Sequence, residues 1–454
     1  MSGLLIFFLI AALGLAGCAD SLKSHPAPQK WTTGFWFWRG SSIDTTWSGE
    51  PLDALFVHAG SISKDDFSYS RQPWRVSAEL PDLLPKAQEY WVVFRYEKQG
   101  VPDLSVAAMV ADKVSNLQQA ARKRHLNLAG VQLDIDSPTG SLPQYASFLR
   151  EVRKGLPKGF EISITALLDW FRDGTAIAEV IKETNEFVPQ FYDVGDLRSD
   201  DGAIAAKIDA TRWGPLFNRY GTRFRIGVST FGRVRMVPKP GGAGAGYFRS
   251  LFFRDVSPLD IGTNPAFDLQ ATRSQADELV LNYRANRKTR IAYNDFEAGE
   301  SIRFTVSTPE AVHAAVDSVK RMKGNLAGVL FFRWPASDES LAMRPDEVLI
   351  AAGLITQDRR TGSSITAVDG SCTAVKCADL VVLNTSRFSP KAVRYRIRSS
   401  TELEYFLPEK RTPVRMSGAS ELELSLPPYG GRARLYLGRA VTASPATFTL
   451  EEEQ

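Results

Sequence analysis

Cysteine, histidine and net charge are all scarce in this chain of 454 residues, and each shortage excludes a class of protein. Three cysteines are too few for a fold stabilised mainly by disulfides. The four histidines are scattered and form no metal-binding motif, so no metal and no other cofactor is predicted. Fifty-five Lys and Arg against 51 Asp and Glu leave a net charge of +4 without a basic run, which argues against a nucleic-acid partner.

The sequence also has few long hydrophobic runs, and the run near the start of the chain is too short to span a membrane. Leu4–Leu15 is almost entirely apolar but covers only about a dozen residues, whereas a helix that spans a bilayer needs about twenty. This length is typical of the apolar part of a secretory signal. Residues 1–17 are therefore predicted to be a signal peptide, and residues 18–30 a short polar tether.

The apolar run ends in the segment Leu-Ala-Gly-Cys, which resembles the lipobox of bacterial lipoproteins. The resemblance implies that Cys18 becomes the lipidated N-terminus and anchors the protein to a membrane. Inner-membrane lipoproteins carry Asp at the position of Ala19. Ala19 therefore favours a bacterial outer membrane lipoprotein that faces the periplasm, or more broadly a location in the cell envelope. An ordinary cleaved signal and an uncleaved anchor are the alternatives.

The other two cysteines, Cys372 and Cys377, are only five positions apart. In an oxidising periplasm they could close a small loop, and no further soft metal ligands lie nearby. We predict a disulfide between them; a pair of free thiols is the alternative.

Short runs of apolar, β-branched and aromatic residues alternate with helical patterns over most of the chain. Several runs are continuously apolar, as expected for parallel strands that are buried on both faces. Eight such strands alternating with helices predict a (β/α)8 TIM barrel over residues 31–358, with an insertion at about 233–306; an open doubly wound sheet is the alternative. The strand candidates are Gly34–Trp38, Ala54–His58, Tyr90–Arg95, Leu128–Asp134, Phe160–Leu167, Glu186–Tyr192, Arg223–Ser229 and Leu326–Phe332.

The pattern changes near residue 364. Helical periods end there, and short alternating segments separated by Pro, Gly and Ser follow. Residues 364–454 are therefore predicted to form a small antiparallel β-sandwich domain.

The fourth predicted strand of the barrel carries a polar series on one face. Because side chains alternate along a strand, Gln132, Asp134 and Asp136 should all point into the barrel, at the end where barrel enzymes have their active sites. Two carboxylates placed this close raise the pKa of one of them, and such a group can act as a general acid. The alternative is that Asp136 only initiates the turn at Ser137.

This strand resembles the fourth-strand motif of family 18 glycoside hydrolases, the chitinases and related enzymes, which is D-G-x-D-x-D-x-E-x-P. In the segment AGVQLDIDSP, Gly130, Asp134 and Pro138 match the motif. Asp136 stands where the family has its catalytic Glu, and Gln132 replaces the middle Asp. The segment also resembles a group of bacterial secreted lipoproteins that share L-D-x-D-(S/A)-P-T and have no assigned activity.

Three further segments resemble motifs of the same family, in the same order. Gln190–Asp193 is similar to M-x-Y-D on the sixth strand, with Tyr192 and Asp193 as the matching residues. Residues 226–233 are similar to the seventh-strand motif, and residues 328–334 to that of the last strand. The order of the four segments implies a barrel related to these enzymes.

The resemblance also implies catalytic roles. Asp136 would protonate the glycosidic oxygen, and Asp134 would be the partner that tunes its proton. Tyr192 and Asp193 would position the acetamido group of the substrate, which attacks the anomeric carbon. Asp is one methylene shorter than Glu, and a displacement of about 1 Å can lower a rate on the order of 10²-fold.

A set of aromatic and polar residues near the strand ends is predicted to bind the substrate. Sugar rings present C–H faces that pack on aromatic side chains, although any single aromatic ring is better explained as core. His58 and Arg95, at the ends of the second and third strands, could hold a substrate hydroxyl or carboxylate, or form structural pairs. The predicted substrate-binding residues are Gln132, Trp36, Trp38, Asp169, Trp170, Gln190, Arg333 and Trp334.

These observations favour an envelope lipoprotein that acts on a glycan by carboxylate acid/base catalysis. The glycan would be peptidoglycan, an exopolysaccharide or another N-acetylhexosamine polymer. A non-catalytic carbohydrate-binding barrel is the second hypothesis, and an envelope assembly or interaction protein is the third. The sequence does not identify protein partners.

Overall fold

The computed structural model describes most of the chain after residue 30. The predicted signal peptide, Cys18 and the tether lie outside the described residues. Within the described part, no helix is both long enough and apolar enough to cross a membrane. The described residues are 31–43, 51–65, 73–193, 203–239, 249–251, 256–291, 293–336, 339–356, 363–373, 375–383, 389, 391–410, 412–429 and 434–453.

The first half of the chain consists mainly of parallel strands joined by helices. Apart from β3, which runs antiparallel to β2, neighbouring strands from β2 to β8 pair in parallel. The strands are β1 (Thr32–Phe37), β2 (Leu52–Lys64), β3 (Trp74–Ala78), β4 (Ala87–Tyr96), β5 (Leu128–Ile135), β6 (Glu161–Ala166), β7 (Glu186–Pro189) and β8 (Arg223–Ser229). The helices are α1 (Val106–Lys123), α2 (Leu142–Gly155), α3 (Ile177–Lys182) and α4 (Ala210–Asn218).

An antiparallel sheet follows β8 and has its own hydrophobic core. Leu281, Ile302 and Phe304 are fully buried in that core. The strand order of the sheet is β10-β9-β15-β12-β11, and β13 pairs with β14. The elements are β9 (Gly232–Val237), β10 (Arg249–Leu251), α5 (Pro258–Gly262), β11 (Phe267–Arg273), β12 (Leu279–Ala285), β13 (Thr289–Ile291), β14 (Asn294–Phe296) and β15 (Ser301–Val306).

The last parallel strand closes the barrel. The chain continues through α6 (Pro309–Lys320), β16 (Leu326–Phe332) and α7 (Pro345–Ala351). β16 pairs in parallel with β8 on one side and with β1 on the other, and β1 pairs with β2. Eight parallel strands therefore form a closed ring, which confirms the predicted TIM barrel and excludes the open sheet.

The C-terminal part is an all-β domain, as predicted. Its two four-stranded antiparallel sheets have the orders β17-β18-β23-β20 and β21-β22-β19-β24, and they share one core. A disulfide joins Cys372 and Cys377 near the connection between β17 and β18. The strands are β17 (Ser364–Asp369), β18 (Lys376–Leu383), β19 (Val393–Ser399), β20 (Leu403–Pro408), β21 (Val414–Gly418), β22 (Glu421–Leu426), β23 (Arg434–Thr442) and β24 (Phe448–Glu453).

Side chains alternate between the two faces of the barrel strands. On β5, Leu133 and Ile135 pack into the large core beneath the helices. Gln132 and Asp134 point the other way, into the barrel, where Trp36, Phe56 and Trp91 form a separate inner cluster. The period of two along β5 thus places its polar residues in the lumen.

Candidate functional site

A cavity of about 510 Å³ opens at the C-terminal ends of the barrel strands. Its lining comes largely from residues at or just past strand ends, because those ends of parallel strands all meet at one rim. The wall combines carboxylates with aromatic rings, and the residues used below are Trp38, Arg95, Glu97, Asp136, Tyr192 and Phe332.

Arg95 joins the two aspartates of β5. β4 and β5 pair in parallel with Arg95 directly opposite Asp134. The guanidinium Nη1 lies 2.9 Å from Oδ2 of Asp134, and Nη2 donates a hydrogen bond to Oδ2 of Asp136 at 2.7 Å. Burial acts to lower the pKa of Arg95, but attraction by Asp134 and then Asp136 outweighs it and raises that pKa above its usual value. The group therefore remains a cation between two carboxylates.

Asp134 is the buried member of this cluster. It is 3% exposed, and its Oδ1 accepts a hydrogen bond from Thr165 Oγ1 at 2.7 Å. Burial raises the pKa of Asp134, Asp136 raises it further, and Arg95 and Thr165 oppose the shift. Asp134 is thus held in place from two neighbouring strands, β4 and β6.

Asp136 is the open member. Its side chain is 40% exposed and lies in the cavity, in the position that the family resemblance gives to the proton donor. Its Oδ2 accepts from Arg95, and arginine can only donate hydrogen bonds. In this pairing Oδ2 of Asp136 is a hydrogen-bond acceptor next to a positive charge.

Gln132 lies one layer deeper and forms a fixed polar contact. Its Oε1 accepts a hydrogen bond from Trp36 Nε1 at 2.6 Å, and its Nε2 donates to Ser163 Oγ at 3.1 Å. Gln132 and Trp36 are both fully buried or nearly so. They support the floor of the cavity, and Gln132, predicted to bind substrate, is not among the residues that line it.

Tyr192 forms one wall of the cavity. Its ring stacks on Phe332 with centroids 4.6 Å apart and meets Trp36 edge-on at 5.8 Å. Burial, followed by the charges of Asp134 and Asp136, raises the pKa of Tyr192 well above its usual value. Its phenol therefore keeps its proton and can donate a hydrogen bond.

Gln190 and Asp193 also line the cavity, as their position after β7 predicted. Asp193 has a φ of 55° and forms an ion pair with Arg233 at the start of β9. Burial, with a contribution from Arg235, lowers the pKa of Arg233 to about 10. The ion pair connects the cavity rim to β9 of the antiparallel sheet that follows β8.

Trp38 and His58 form a further part of the wall, and Trp38 meets Phe332 edge-on with centroids 5.7 Å apart. The ring centroids of Trp38 and His58 are 4.4 Å apart. His58 Nε2 is buried without a hydrogen-bond partner among the described residues. Burial, helped by Arg39 and Arg95, lowers the pKa of His58 to about 4, so the imidazole is neutral at pH 7. A second cavity of about 400 Å³ lies beyond and shares Trp38, Arg39 and His58 with the first.

The structure does not bring Trp170 or Trp334 to the cavity. Trp170 is 1% exposed, and its Nε1 donates to the carbonyl oxygen of Ser137 at 2.9 Å. Trp334 is 0% exposed, and its Nε1 donates to the carbonyl oxygen of Ser42 at 2.8 Å. Loop carbonyls satisfy both indoles, so each ring packs in the core of the rim and has no face for a ligand.

Two charged residues in the predicted substrate-binding set are also engaged elsewhere. Asp169 is exposed and pairs with Arg172 at 2.6 Å, outside the residues that line the cavity. Arg333 donates a hydrogen bond to Glu339 Oε1 at 2.6 Å. Both residues were predicted to bind substrate because they lie near strand ends. The turns after β6 and β16 place them outside the cavity lining.

Five lining residues were not predicted as site residues: Arg39, Glu97, Thr165, Leu167 and Phe332. Glu97 follows Arg95 by two positions, so the alternation that placed the aspartates of β5 would also have found it. Among the residues that the structure describes, no three His, Cys, Asp or Glu side chains group as a metal site.

Residues 90–293, from β4 into the inserted sheet, match a family model described as a domain of unknown function (DUF3142). No curated protein matches the sequence.

Similar solved structures include three bacterial proteins with low identity to this chain. Chitinase ChiA74 from Bacillus thuringiensis is 11% identical with a TM-score of 0.46, and the match covers 92% of this chain and 100% of that one. The spore cortex-lytic enzyme SleL from Bacillus cereus is 12% identical, with a TM-score of 0.45 and coverage of 73% and 75%. A glycoside hydrolase family 18 N-acetylglucosaminidase from Paenibacillus barengoltzii is 15% identical, with a TM-score of 0.44 and coverage of 71% and 98%. The closed eight-stranded barrel itself rests on the strand pairings described above.

Proposed function

We propose that the cavity at the C-terminal mouth of the barrel binds a glycan and that carboxylate side chains hydrolyse it there. The observation that carries this proposal is the combination of an open cavity of about 510 Å³ with exposed carboxylates and aromatic rings in its wall. Glycan sites need both, because a sugar has apolar C–H faces as well as hydroxyl groups.

The polar groups of the wall suit an uncharged sugar ring. Tyr192 offers a phenolic donor, and His58 contributes a neutral imidazole to the lining. Trp38 is half-buried and stands beside His58, where a sugar face could pack against it. N-acetylhexosamine polymers remain the proposed substrate class, with Tyr192 and Asp193 as the pair that would position the acetamido group.

The geometry favours a revised role for Asp136. Its hydrogen bond from Arg95 supports a carboxylate that stabilises the positive charge on the sugar or accepts a proton from water. Asp134 would hold Arg95 in the orientation that this role requires, because it binds the other nitrogen of the same guanidinium.

A panel of glycans tests the proposal. Wild-type protein and Asp136→Asn are incubated with N-acetylhexosamine oligosaccharides, peptidoglycan and exopolysaccharide, and new reducing ends are measured. We expect the substitution to lower hydrolysis by about 10²-fold or more. Asp169→Asn is the matched control, because Asp169 is an exposed, ion-paired aspartate outside the cavity. Hydrolysis that survives in Asp136→Asn contradicts the assignment.

Non-catalytic glycan binding is the second candidate function, and one observation favours it. Arg95 engages both aspartates of β5 at once, which is a suitable arrangement for a rigid polar floor. Calorimetry with the same oligosaccharides distinguishes the two functions. Binding without new reducing ends, in both wild type and Asp136→Asn, supports the binding protein and contradicts the hydrolase.

We propose further that Cys18 is lipidated and that the barrel faces the periplasm from the outer membrane. The lipobox-like segment and Ala19 support this location. Metabolic labelling with an alkyne fatty acid, followed by membrane fractionation, tests it. Cys18→Ala should lose both the label and the membrane association, and an unchanged label would contradict the anchor.

A further inference from the structure

Glu97 directly follows β4, as Asp136 directly follows the neighbouring β5, and both line the cavity. β4 and β5 pair with Arg95 opposite Asp134 and Tyr96 opposite Ile135, and Glu97 and Asp136 are the residues that follow these two strand ends. Tyr96 packs outward into the main core, and Glu97, one residue later, lines the cavity. Both side chains therefore enter the same cavity from the ends of two neighbouring strands.

Glu97 differs from the other acids of the cavity in its partners. Asp134 and Asp136 are paired with Arg95, and Asp193 is paired with Arg233. In the described part of the chain, Glu97 has no ion pair, and its side chain is exposed to the cavity. Its side chain is also one methylene longer than that of Asp136, so it can reach further toward a bound sugar.

Hydrolysis of a glycosidic bond needs two carboxyl groups in different states. One must donate a proton to the leaving oxygen, and the other must be a carboxylate. Proteins separate the two by giving them different surroundings. Here the surroundings differ in one respect: Asp136 is bound to the guanidinium of Arg95, whereas Glu97 lines the cavity without an ion pair among the described residues.

We infer that Glu97 is the proton donor of this cavity, an inference that rests on the proposed hydrolytic function. The Glu97 carboxyl transfers its proton to the glycosidic oxygen, and the bond from the anomeric carbon to that oxygen breaks with its electron pair going to the oxygen. A water oxygen then forms the new bond to the anomeric carbon, and the proton of that water goes to Asp136. Solvent returns a proton to Glu97 and removes one from Asp136, so the enzyme is restored.

The dependence on the leaving group tests this role. Wild type, Glu97→Gln, Asp136→Asn and the surface control Glu179→Gln on α3 are compared on a natural oligosaccharide and on the 2,4-dinitrophenyl glycoside of the same sugar. Loss of a proton donor lowers the rate by about 10²- to 10⁴-fold where the leaving group needs protonation. We therefore expect Glu97→Gln to lose that much on the oligosaccharide and less than about tenfold on the activated glycoside. Asp136→Asn should lose activity on both, and Glu179→Gln on neither.

The pH profile gives a second readout. On the activated glycoside, the alkaline decline of kcat/KM should be present in wild type and absent in Glu97→Gln, because that decline reports deprotonation of the donor. Equal losses on both substrates, or oligosaccharide hydrolysis by Glu97→Gln at wild-type rate, overturn the inference. Wild-type protein that hydrolyses neither substrate overturns the proposed function itself, so the two failures are distinguishable.

Discussion

The lumen of the barrel contains a carboxylate–guanidinium cluster at each end, and the central residues of the two carry opposite charges. At the C-terminal end, one arginine, Arg95, lies between two aspartates. At the N-terminal end, one glutamate, Glu186, lies between two arginines: Arg223 Nε is 2.9 Å from Oε2, and Arg225 Nη1 is 3.4 Å from Oε1. We refer to these as the upper and the lower cluster.

The clusters also differ in their access to solvent. Glu186 is 0% exposed, and the guanidinium of Arg225 lies over the ring of Phe56 at 5.5 Å. Glu161, at the start of β6, binds the outer side of Arg223. The centre of the lower cluster is therefore closed by protein groups, since Glu186 and Arg225 are buried, although Arg223 is 27% exposed and Glu89 lies 4.0 Å from Arg225. The upper cluster ends in a half-open Asp136 that faces a cavity. The same chemistry seals one end of the barrel and leaves the other available to a ligand, as is usual for barrel enzymes.

Removal of the central acid of the lower cluster should have the largest effect on stability. Glu186→Ala leaves two arginines near the bottom of the lumen without their shared anion, and breaking a buried pair in this way costs about 3–5 kcal/mol. Urea unfolding of the variant and of the exposed control Glu179→Ala measures the difference. A loss under about 1 kcal/mol would mean that water reaches the lower cluster and that it is not sealed.

Removal of the central base of the upper cluster should affect function more than stability. Arg95→Ala leaves Asp134 buried, but Asp134 keeps its hydrogen bond from Thr165, and Asp136 is open to solvent. We expect a loss of about 1–3 kcal/mol, smaller than for Glu186→Ala, together with loss of glycan hydrolysis or binding. Arg95→Lys is the matched control: it keeps the positive charge but lacks the two guanidinium nitrogens that bind Asp134 and Asp136 separately.

The stability of Arg95→Ala should also depend on pH in a defined direction. Burial already raises the pKa of Asp134, and removal of Arg95 takes away the main opposing group. The folded state then binds more protons than the unfolded state above the ordinary pKa of Asp, so stability falls as the pH rises from about 4. A variant whose stability increases over that interval relative to wild type would contradict this account of Asp134.

The arrangement of β5 could be predicted from the sequence because it depends on local periodicity alone. Alternation along an extended strand fixes which side chains share a face, so the inward positions of Gln132 and Asp134 follow from spacing. The barrel follows for a similar reason, since eight apolar runs separated by helical patterns leave few other architectures.

The contacts between strands and loops could not be predicted in this way. Arg95 meets Asp134 because of the register between two strands, and the sequence spacing does not determine that register. Trp170 and Trp334 can be buried because their indole N–H groups bind loop carbonyls. Trp170 binds the carbonyl oxygen of Ser137, and Trp334 binds that of Ser42. Their proximity to strand ends was correctly identified, but the direction of each ring depends on the path of the turn.

The free energy of unfolding should fall in mild acid because of His58, which lines the cavity. The pKa of His58 is lowered to about 4 in the folded protein by burial and by Arg39 and Arg95, whereas an unfolded His has a pKa near 6.5. The neutral ring contributes its full stability above pH 6.5, and that contribution is lost as the pH falls toward 4. Wild type should therefore lose roughly 1–2 kcal/mol relative to His58→Gln between pH 7 and pH 5, less than the full shift implies because the ring is partly exposed. Parallel unfolding curves at the two pH values would contradict the lowered pKa.

The smallest effect is expected at an ion pair that belongs to neither cluster. Asp169 and Arg172 are 2.6 Å apart, as close as the pairs in the upper cluster, but their side chains are 66% and 73% exposed. Water screens such a pair, so Asp169→Ala should change the free energy of unfolding by less than about 0.5 kcal/mol. If urea unfolding gave a loss comparable to that of Glu186→Ala, distance and not burial would determine the strength of these pairs. The contrast between a sealed and an open cluster would then have to be explained by geometry alone.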